Sequence, residues 1–129
     1  MSKLYKLLLV DDEEPIRTML LNFLSRAKVK ELIDLEIKEC ANGAEAWDYI
    51  SSEGANVDIV VSDINMPELD GFELTKRIKT TYPKIKVILM TGLLTDKQFQ
   101  KIVSAGADGY IAKPFELKKL LEIIKGLLV

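Results

Sequence analysis

The chain predicts an α/β fold: an open, doubly wound sheet of five parallel strands with helices on both faces. Two observations carry this. Five short apolar runs recur along the 129 residues, and segments with helical spacing separate them, so strand and helix alternate five times over. Three of the runs are apolar at nearly every consecutive position, as expected of strands buried on both faces and therefore of a parallel sheet with right-handed crossovers.

The elements follow in chain order. The strand candidates are "KLLLVDD" (6 to 12), "LEIKECA" (35 to 41), "VDIVVSD" (57 to 63), "KVILMTG" (86 to 92) and "GYIAKPF" (109 to 115). The first helical segment, "EEPIRTMLLNFLSRAK", places Ile16, Leu20, Phe23 and Leu24 on one stripe, with Pro15 tolerated in the first turn. "AEAWDYI", "FELTKRIKTTY" and "DKQFQKIVSAG" follow, the last preceded by Thr95 with Gln98 three residues on, a capping-box pattern. "ELKKLLEIIKGLL" faces Leu117, Leu120, Leu121 and Ile124 one way. "SSEGAN" (51 to 56) reads as a helix-to-strand loop, and "GLLV" as a frayed helix end or a cut edge. Trp47, Phe23 and Phe99 read as packing residues, and the basic residues near the N-terminus as a solvated face.

Length and composition bound the rest. Residues 1–129 suit one domain with a real core, and no internal repeat or linker-like stretch divides them. The chain is 48% hydrophobic and 29% charged, with a net charge of −2, a profile of globular chains that gives no nucleic-acid footprint. No apolar stretch reaches bilayer length, and charge follows the first apolar run too closely for a signal peptide, so the expected compartment is cytoplasmic, without membrane contact. Cys40 is the only cysteine and excludes an internal disulfide; it reads as a small packed residue. The chain has no histidine. Ser-His and Cys-His nucleophile pairs, histidine metal sites and a phosphohistidine on this chain are thereby excluded, and any phosphate chemistry needs an outside donor.

Polar residues collect at the strand ends: Asp11 and Asp12 after the first, Asp63 after the third, Thr91 after the fourth and Lys113 near the end of the fifth. In open α/β sheets ligands bind outside the carboxyl ends of the strands. If the strand order is 2-1-3-4-5, the first and fourth strands flank the third at about 4.8 Å, and Asp11, Asp12 and Thr91 fall beside Asp63. Lys113 starts roughly 10 Å away, a gap its stem can largely span. Three close carboxylates repel one another, and a divalent cation relieves the cost. An oxygen-only site suits magnesium, with manganese as a substitute; zinc is disfavoured without histidine. Asp63 then has the setting of a carboxylate nucleophile, with the metal and Lys113 neutralising phosphoryl oxygens and Thr91 hydrogen-bonding one of them. Taken singly, each residue has an ordinary role: a helix-start acid, a turn cap, a loop opening, a solvated lysine. Their coincidence at matched strand ends favours a site.

"LLLVDDEEP", "VVSDINMPELDG", "ILMTG" and "GADGYIAKPF", in this order and spacing, resemble the receiver domain of bacterial response regulators, over about residues 5 to 128. The resemblance implies a flavodoxin-like fold with the strand order given above, which is therefore not an independent reading. It implies that Asp63 is the phosphoacceptor, that Asp11 and Asp12 hold magnesium with the backbone carbonyl of Asn65, and that Lys113 pairs with the phosphate. Thr91 and Tyr110 match the two switch residues, and Pro114 a cis-proline. By its packing alone, an aromatic such as Tyr110 in a strand could equally be core.

The implied function is a phosphorylation-dependent signalling switch, not a turnover enzyme beyond its own phosphoryl transfer and dephosphorylation. A sensor histidine kinase or a histidine phosphotransfer protein would be the donor. The fourth helix, fifth strand and fifth helix, carrying Lys97, Lys101, Lys118 and Lys119, would then meet an effector protein or output domain, with no direct nucleic-acid contact. The chain departs from the pattern twice. "SRAKVKELIDLEIKECANG" is several residues longer than usual, and Leu93 is apolar at a position that tunes dephosphorylation. Two other classes are weighed. An aspartate-nucleophile phosphatase typically needs a second acid two residues after the nucleophile, where this chain has Asn65. A flavin or nucleotide carrier needs a phosphate-cradling loop where this chain has Asp-Asp-Glu-Glu.

Overall fold

The computed structural model describes residues 3–53 and 56–129. Its strands are β1 (Leu4–Val10), β2 (Asp34–Cys40), β3 (Ile59–Asp63), β4 (Lys86–Thr91) and β5 (Gly109–Ala112). All neighbours pair in parallel, in the order β2-β1-β3-β4-β5. The helices are α1 (Glu14–Leu24), α2 (Ala27–Leu32), α3 (Gly43–Glu53), α4 (Gly71–Thr81), α5 (Asp96–Ala105) and α6 (Leu117–Leu128). The expected fold class is what forms.

Side-chain alternation along the inner strands divides the core into two layers. Leu8, Val10, Val60, Val87 and Leu89 face α3, α4 and α5, where they meet Ile50, Leu74, Ile78 and Ile102. Leu7, Leu9, Val61, Ile88 and Met90 face the other way, onto Leu20, Phe23 and Leu24 of α1 and Leu120, Leu121 and Ile124 of α6. Each face thus needs its own helical cover, which is why a continuous apolar strand demands a doubly wound fold. β3 is buried at every position, whereas the edge strand β2 is exposed or half-buried until it ends on the buried Cys40. No helix among the described residues is long and apolar enough to cross a membrane.

Three local readings need correction. The first helix does not run to Lys28: it closes at Ser25, whose N–H bonds to Leu21 O at 3.0 Å, and Arg26 is extended before α2 begins. The apolar stripe lapses after Leu24, since a continued helix would turn Ala27 and Lys28 inward; the chain instead restarts and buries Val29 and Ile33. The extra length noted in this stretch is therefore a helix, which makes the predicted fourth and fifth helices α5 and α6.

Helix α3 continues through Ser51, Ser52 and Glu53, assigned from sequence to a loop, because Ser51 and Ser52 are exposed there and polar residues are tolerated. Gly54 and Ala55 of that loop reading lie outside the described residues. Helix α6 runs through Leu128, whose carbonyl accepts a hydrogen bond from the Tyr5 hydroxyl at 3.0 Å, so the terminus is tied to β1 rather than frayed. Phe99 packs as expected, but on the surface: it is exposed and lies edge-on against Tyr110, ring centroids 5.5 Å apart. Trp47 and Phe23 do pack against the core, and Cys40 is buried.

Candidate functional site

The carboxyl ends of β1, β3, β4 and β5 bring the polar residues together. β3 ends on Asp63, level with Met90 of β4, so Thr91 stands one residue beyond on the adjoining strand. β1 pairs with β3 as far as Val10 opposite Ser62, which places Asp11 and Asp12 just past the end of the central pair. Carboxylate oxygens of Asp11, Asp12 and Asp63 lie within 4.8 Å of one another. Lys113, the first residue after β5, reaches across with Nζ at 3.3 Å from Asp63 Oδ1 and 3.6 Å from Asp11 Oδ2. Its peptide bond to Pro114 is cis.

The backbone around Asp63 is built to hold the side chain still. Its Oδ1 accepts the Ile64 N–H at 2.9 Å, and the buried Ser62 hydroxyl donates to its carbonyl at 2.8 Å. The following turn folds straight back, with the Gly71 N–H bonded to Ile64 O at 2.8 Å. A Cβ at Gly71 would stand 2.5 Å from Asp63 O, so only glycine permits that approach. No hydrogen bond among the described residues reaches Asp63 Oδ2. Asn65, two residues on, is exposed in this turn.

Asp11 is the strained member. It is fully buried, and its Oδ1 accepts the Glu13 N–H at 2.9 Å while its Oδ2 has no hydrogen-bond partner. Burial pushes its pKa above the ordinary carboxylate range, against the lowering effect of the Glu13 N–H; the charges of Asp63 and Asp12 raise it further and Lys113 lowers it. One ammonium does not neutralise three carboxylates. An orphaned buried oxygen aimed into an all-oxygen cluster fits a hard divalent cation of the magnesium type.

The Thr91 hydroxyl is turned away from the cluster. It donates to Leu93 O at 3.0 Å and sits 3.3 Å from the Leu93 N–H, inside the loop that leads to α5. Gln98 completes this arrangement. Its N–H is capped by Thr95 Oγ1 at 3.1 Å, as the capping-box spacing implies, but its side chain donates to Thr91 Oγ1 at 3.4 Å instead of returning to the Thr95 N–H. Tyr110 is 38% exposed on β5, leaning on Phe99, and so is not the core aromatic its strand position alone would allow.

Two contributors carry no motif. Arg17, at the end of the first turn of α1, donates Nη1 to Asp11 O at 2.7 Å and pairs with Glu39 across 3.4 Å, fixing the backbone of the acidic pair. The side-chain role of Gln98 is likewise visible only in three dimensions. Cys40 lies nearby in chain order at the end of β2, where burial pushes its thiol up to about 11 and leaves it inert.

The response regulator receiver domain profile matches residues 7–125. The chain is 32% identical to the chemotaxis protein CheY1 of Helicobacter pylori, over 94% of its own length and 97% of that protein's. It is 34% identical to the sensor kinase CckA of Brucella abortus, covering 94% of this chain but 12% of the kinase, and 32% identical to the response regulator VraR of Staphylococcus aureus, covering 93% and 54%. Among solved structures, CheY4 of Vibrio cholerae superposes with a TM-score of 0.81 at 28% identity, covering 98% of this chain and all of that one. A receiver domain from a Pseudomonas fluorescens HD-domain protein reaches a TM-score of 0.85 at 28% identity, covering 98% and 95%. Sequence, strand order and the acidic pocket agree, and this chain belongs to the receiver domain family of response regulators, the phosphorylation-dependent signalling switches of two-component systems.

Proposed function

We propose that residues 1–129 form a single receiver domain in which Asp63 accepts the phosphoryl group. The observation that carries this is the meeting of Asp11, Asp12 and Asp63 within 4.8 Å, faced by Lys113 and with Asp11 Oδ2 unsatisfied. Asp63 Oδ2 attacks the phosphorus of a phosphohistidine on a sensor histidine kinase or a phosphotransfer protein. The P–N bond breaks, and the imidazole nitrogen leaves with its electron pair. Lys113 then neutralises charge on the phosphoryl oxygens. Asp11, Asp12, Asp63 and the Asn65 carbonyl would hold magnesium, for which manganese can substitute. Bound there, the ion supplies charge neutralisation for the carboxylates and the phosphoryl oxygens. Turnover is confined to this transfer and to hydrolysis of the resulting aspartyl phosphate.

The new group carries about two negative charges and offers the Thr91 hydroxyl a stronger acceptor than Leu93 O. Thr91 leaves Leu93 and Gln98, Tyr110 turns inward from Phe99, and the face made by α5, β5 and α6 changes. That face, with Lys97, Lys101, Lys118 and Lys119, meets an effector protein or output domain in the cytoplasm, without direct contact to nucleic acid or membrane. Moving such a balance from 1:99 to 99:1 takes about 5.5 kcal/mol of differential interaction, within reach of two charge-assisted hydrogen bonds plus metal contact.

The test is incorporation of labelled phosphate from acetyl phosphate with magnesium. Asp63→Asn should abolish it; a variant that still labels would move the acceptor elsewhere.

A further inference from the structure

The segment that lengthens this chain, α2, forms one wall of a groove whose other wall is α6. The volume is about 540 Å³, enough for several large side chains. Its floor is apolar: Phe23, Val29 and Leu121 are each more than nine-tenths buried, and Leu32 stands 54% exposed at the lip. Its rim is cationic. Arg26, Lys28, Lys118 and Lys125 surround it against the single carboxylate of Glu122. Among the described residues none of these four cations is in an ion pair, and Arg26 only overhangs the Phe23 ring at 5.5 Å. This is a marked local excess on a chain whose net charge is −2.

We propose that this groove is a docking site for an acidic amphipathic helix of a protein partner. An apolar furrow between two helices accepts a ridge of large side chains at i, i+3, i+4 and i+7, and acidic residues flanking that ridge meet the lysine rim. The charge pattern disfavours a second copy of this chain, since an isologous contact would set like-charged rims against each other. The concavity disfavours a flat bilayer. Helix α1 begins beside Asp11 and Asp12 and descends away from them, so the groove at its far end lies apart from the phosphoryl pocket. The groove shares α6 and Lys118 with the effector face proposed above, but its apolar floor and the Arg26, Lys28 and Lys125 rim do not depend on phosphorylation.

The probe is a synthetic 14-residue helix with leucines at i, i+3, i+4 and i+7 and glutamates on both flanks, titrated into the full chain and followed by amide shifts. Binding should perturb Val29, Leu32, Leu121 and Lys125. Raising salt from 50 to 300 mM should weaken it several-fold. Lys28→Glu with Lys125→Glu should weaken it at least tenfold while circular dichroism and labelling from acetyl phosphate stay unchanged. A control peptide of equal charge with its leucines dispersed around the helix should also bind at least tenfold more weakly. Equal binding by the control peptide, or by the charge-reversed variant, overturns the proposal. So does engagement of the same residues by phosphatidylglycerol vesicles or by a second copy of the chain when the helix fails to bind them.

Discussion

Both ends of the sheet set a lysine against aspartate, with opposite results. At the amino end, Lys79 Nζ uses its three donors on Pro83 O, Ile85 O and Asp108 Oδ2, at 3.0, 3.0 and 2.9 Å. The same Asp108 oxygen accepts the Val87 N–H at 2.8 Å. One cation meets one anion and no donor on the ammonium is idle; the pair is a brace between α4, β4 and the start of β5. At the carboxyl end, one ammonium stands 3.3 and 3.6 Å from two of three clustered carboxylates, and a buried oxygen is left without a hydrogen bond. The residue types match, but the charge count and the satisfied bonds do not. A closed network holds the fold together, whereas an open one stores repulsion that only a ligand can discharge.

Magnesium should separate the two ends most strongly. A cation that binds only the folded protein stabilises it by about 2.7 kcal/mol at a hundred times its Kd, on the order of 10 °C in melting temperature for a domain of this size. Asp108→Asn should keep this increment in full, and Asp63→Asn should lose most of it. A melting temperature indifferent to millimolar magnesium would mean that the carboxyl end is not a cation site and that the comparison is empty.

A second test makes the same chemical change at the amino end. Asp108→Asn keeps an acceptor for Val87 but removes the charge that Lys79 was ordered to meet, so a loss of about 1–2 kcal/mol is expected in urea titrations at pH 7. The pair is only one-fifth exposed, which limits screening by water and salt. A variant as stable as the parent would show that the brace contributes order without free energy, as many ion pairs do.

Most of the carboxyl end is legible in the sequence, because strands buried on both faces admit few arrangements and their last residues must emerge on one edge. Asp11, Asp12, Asp63, Thr91 and Lys113 lie at the ends of apolar runs, so their convergence needs only the strand order, which came from the family resemblance. The amino-end brace was not legible. Lys79 and Asp108 lie 29 residues apart in unremarkable helix-end and loop contexts, and their pairing depends on how α4 overhangs β4. The break at Ser25 was missed for a related reason: propensity favours a continuous helix to Lys28, and only the burial of Val29 and Ile33 decides against it. Gln98 shows the limit of local rules, since the backbone half of the capping box formed and its side chain was taken by Thr91.

The smallest expected effect has the sharper sign. Burial first, then the charges of Asp63 and Asp12, hold the Asp11 carboxyl above its ordinary pKa despite the opposing Glu13 N–H and Lys113. A carboxyl raised in the folded state binds its proton more tightly there than in the unfolded chain. Its contribution therefore favours folding at low pH and is lost as pH rises through the raised folded value. Above that value and without metal, ionised Asp11 opposes folding, and Asp11→Asn removes that opposition while its amide oxygen can still accept the Glu13 N–H. The gain expected in EDTA is on the order of 1 kcal/mol, because the Lys113 ammonium 3.6 Å away already offsets much of the like-charge repulsion. It should shrink as pH falls and Asp11 protonates in the parent. With saturating magnesium the order reverses, because the parent gains by linkage what the variant cannot. An Asp11→Asn protein less stable than its parent in EDTA at pH 7 would show that Lys113 already satisfies the cluster, and the two ends of the sheet would then differ in geometry alone.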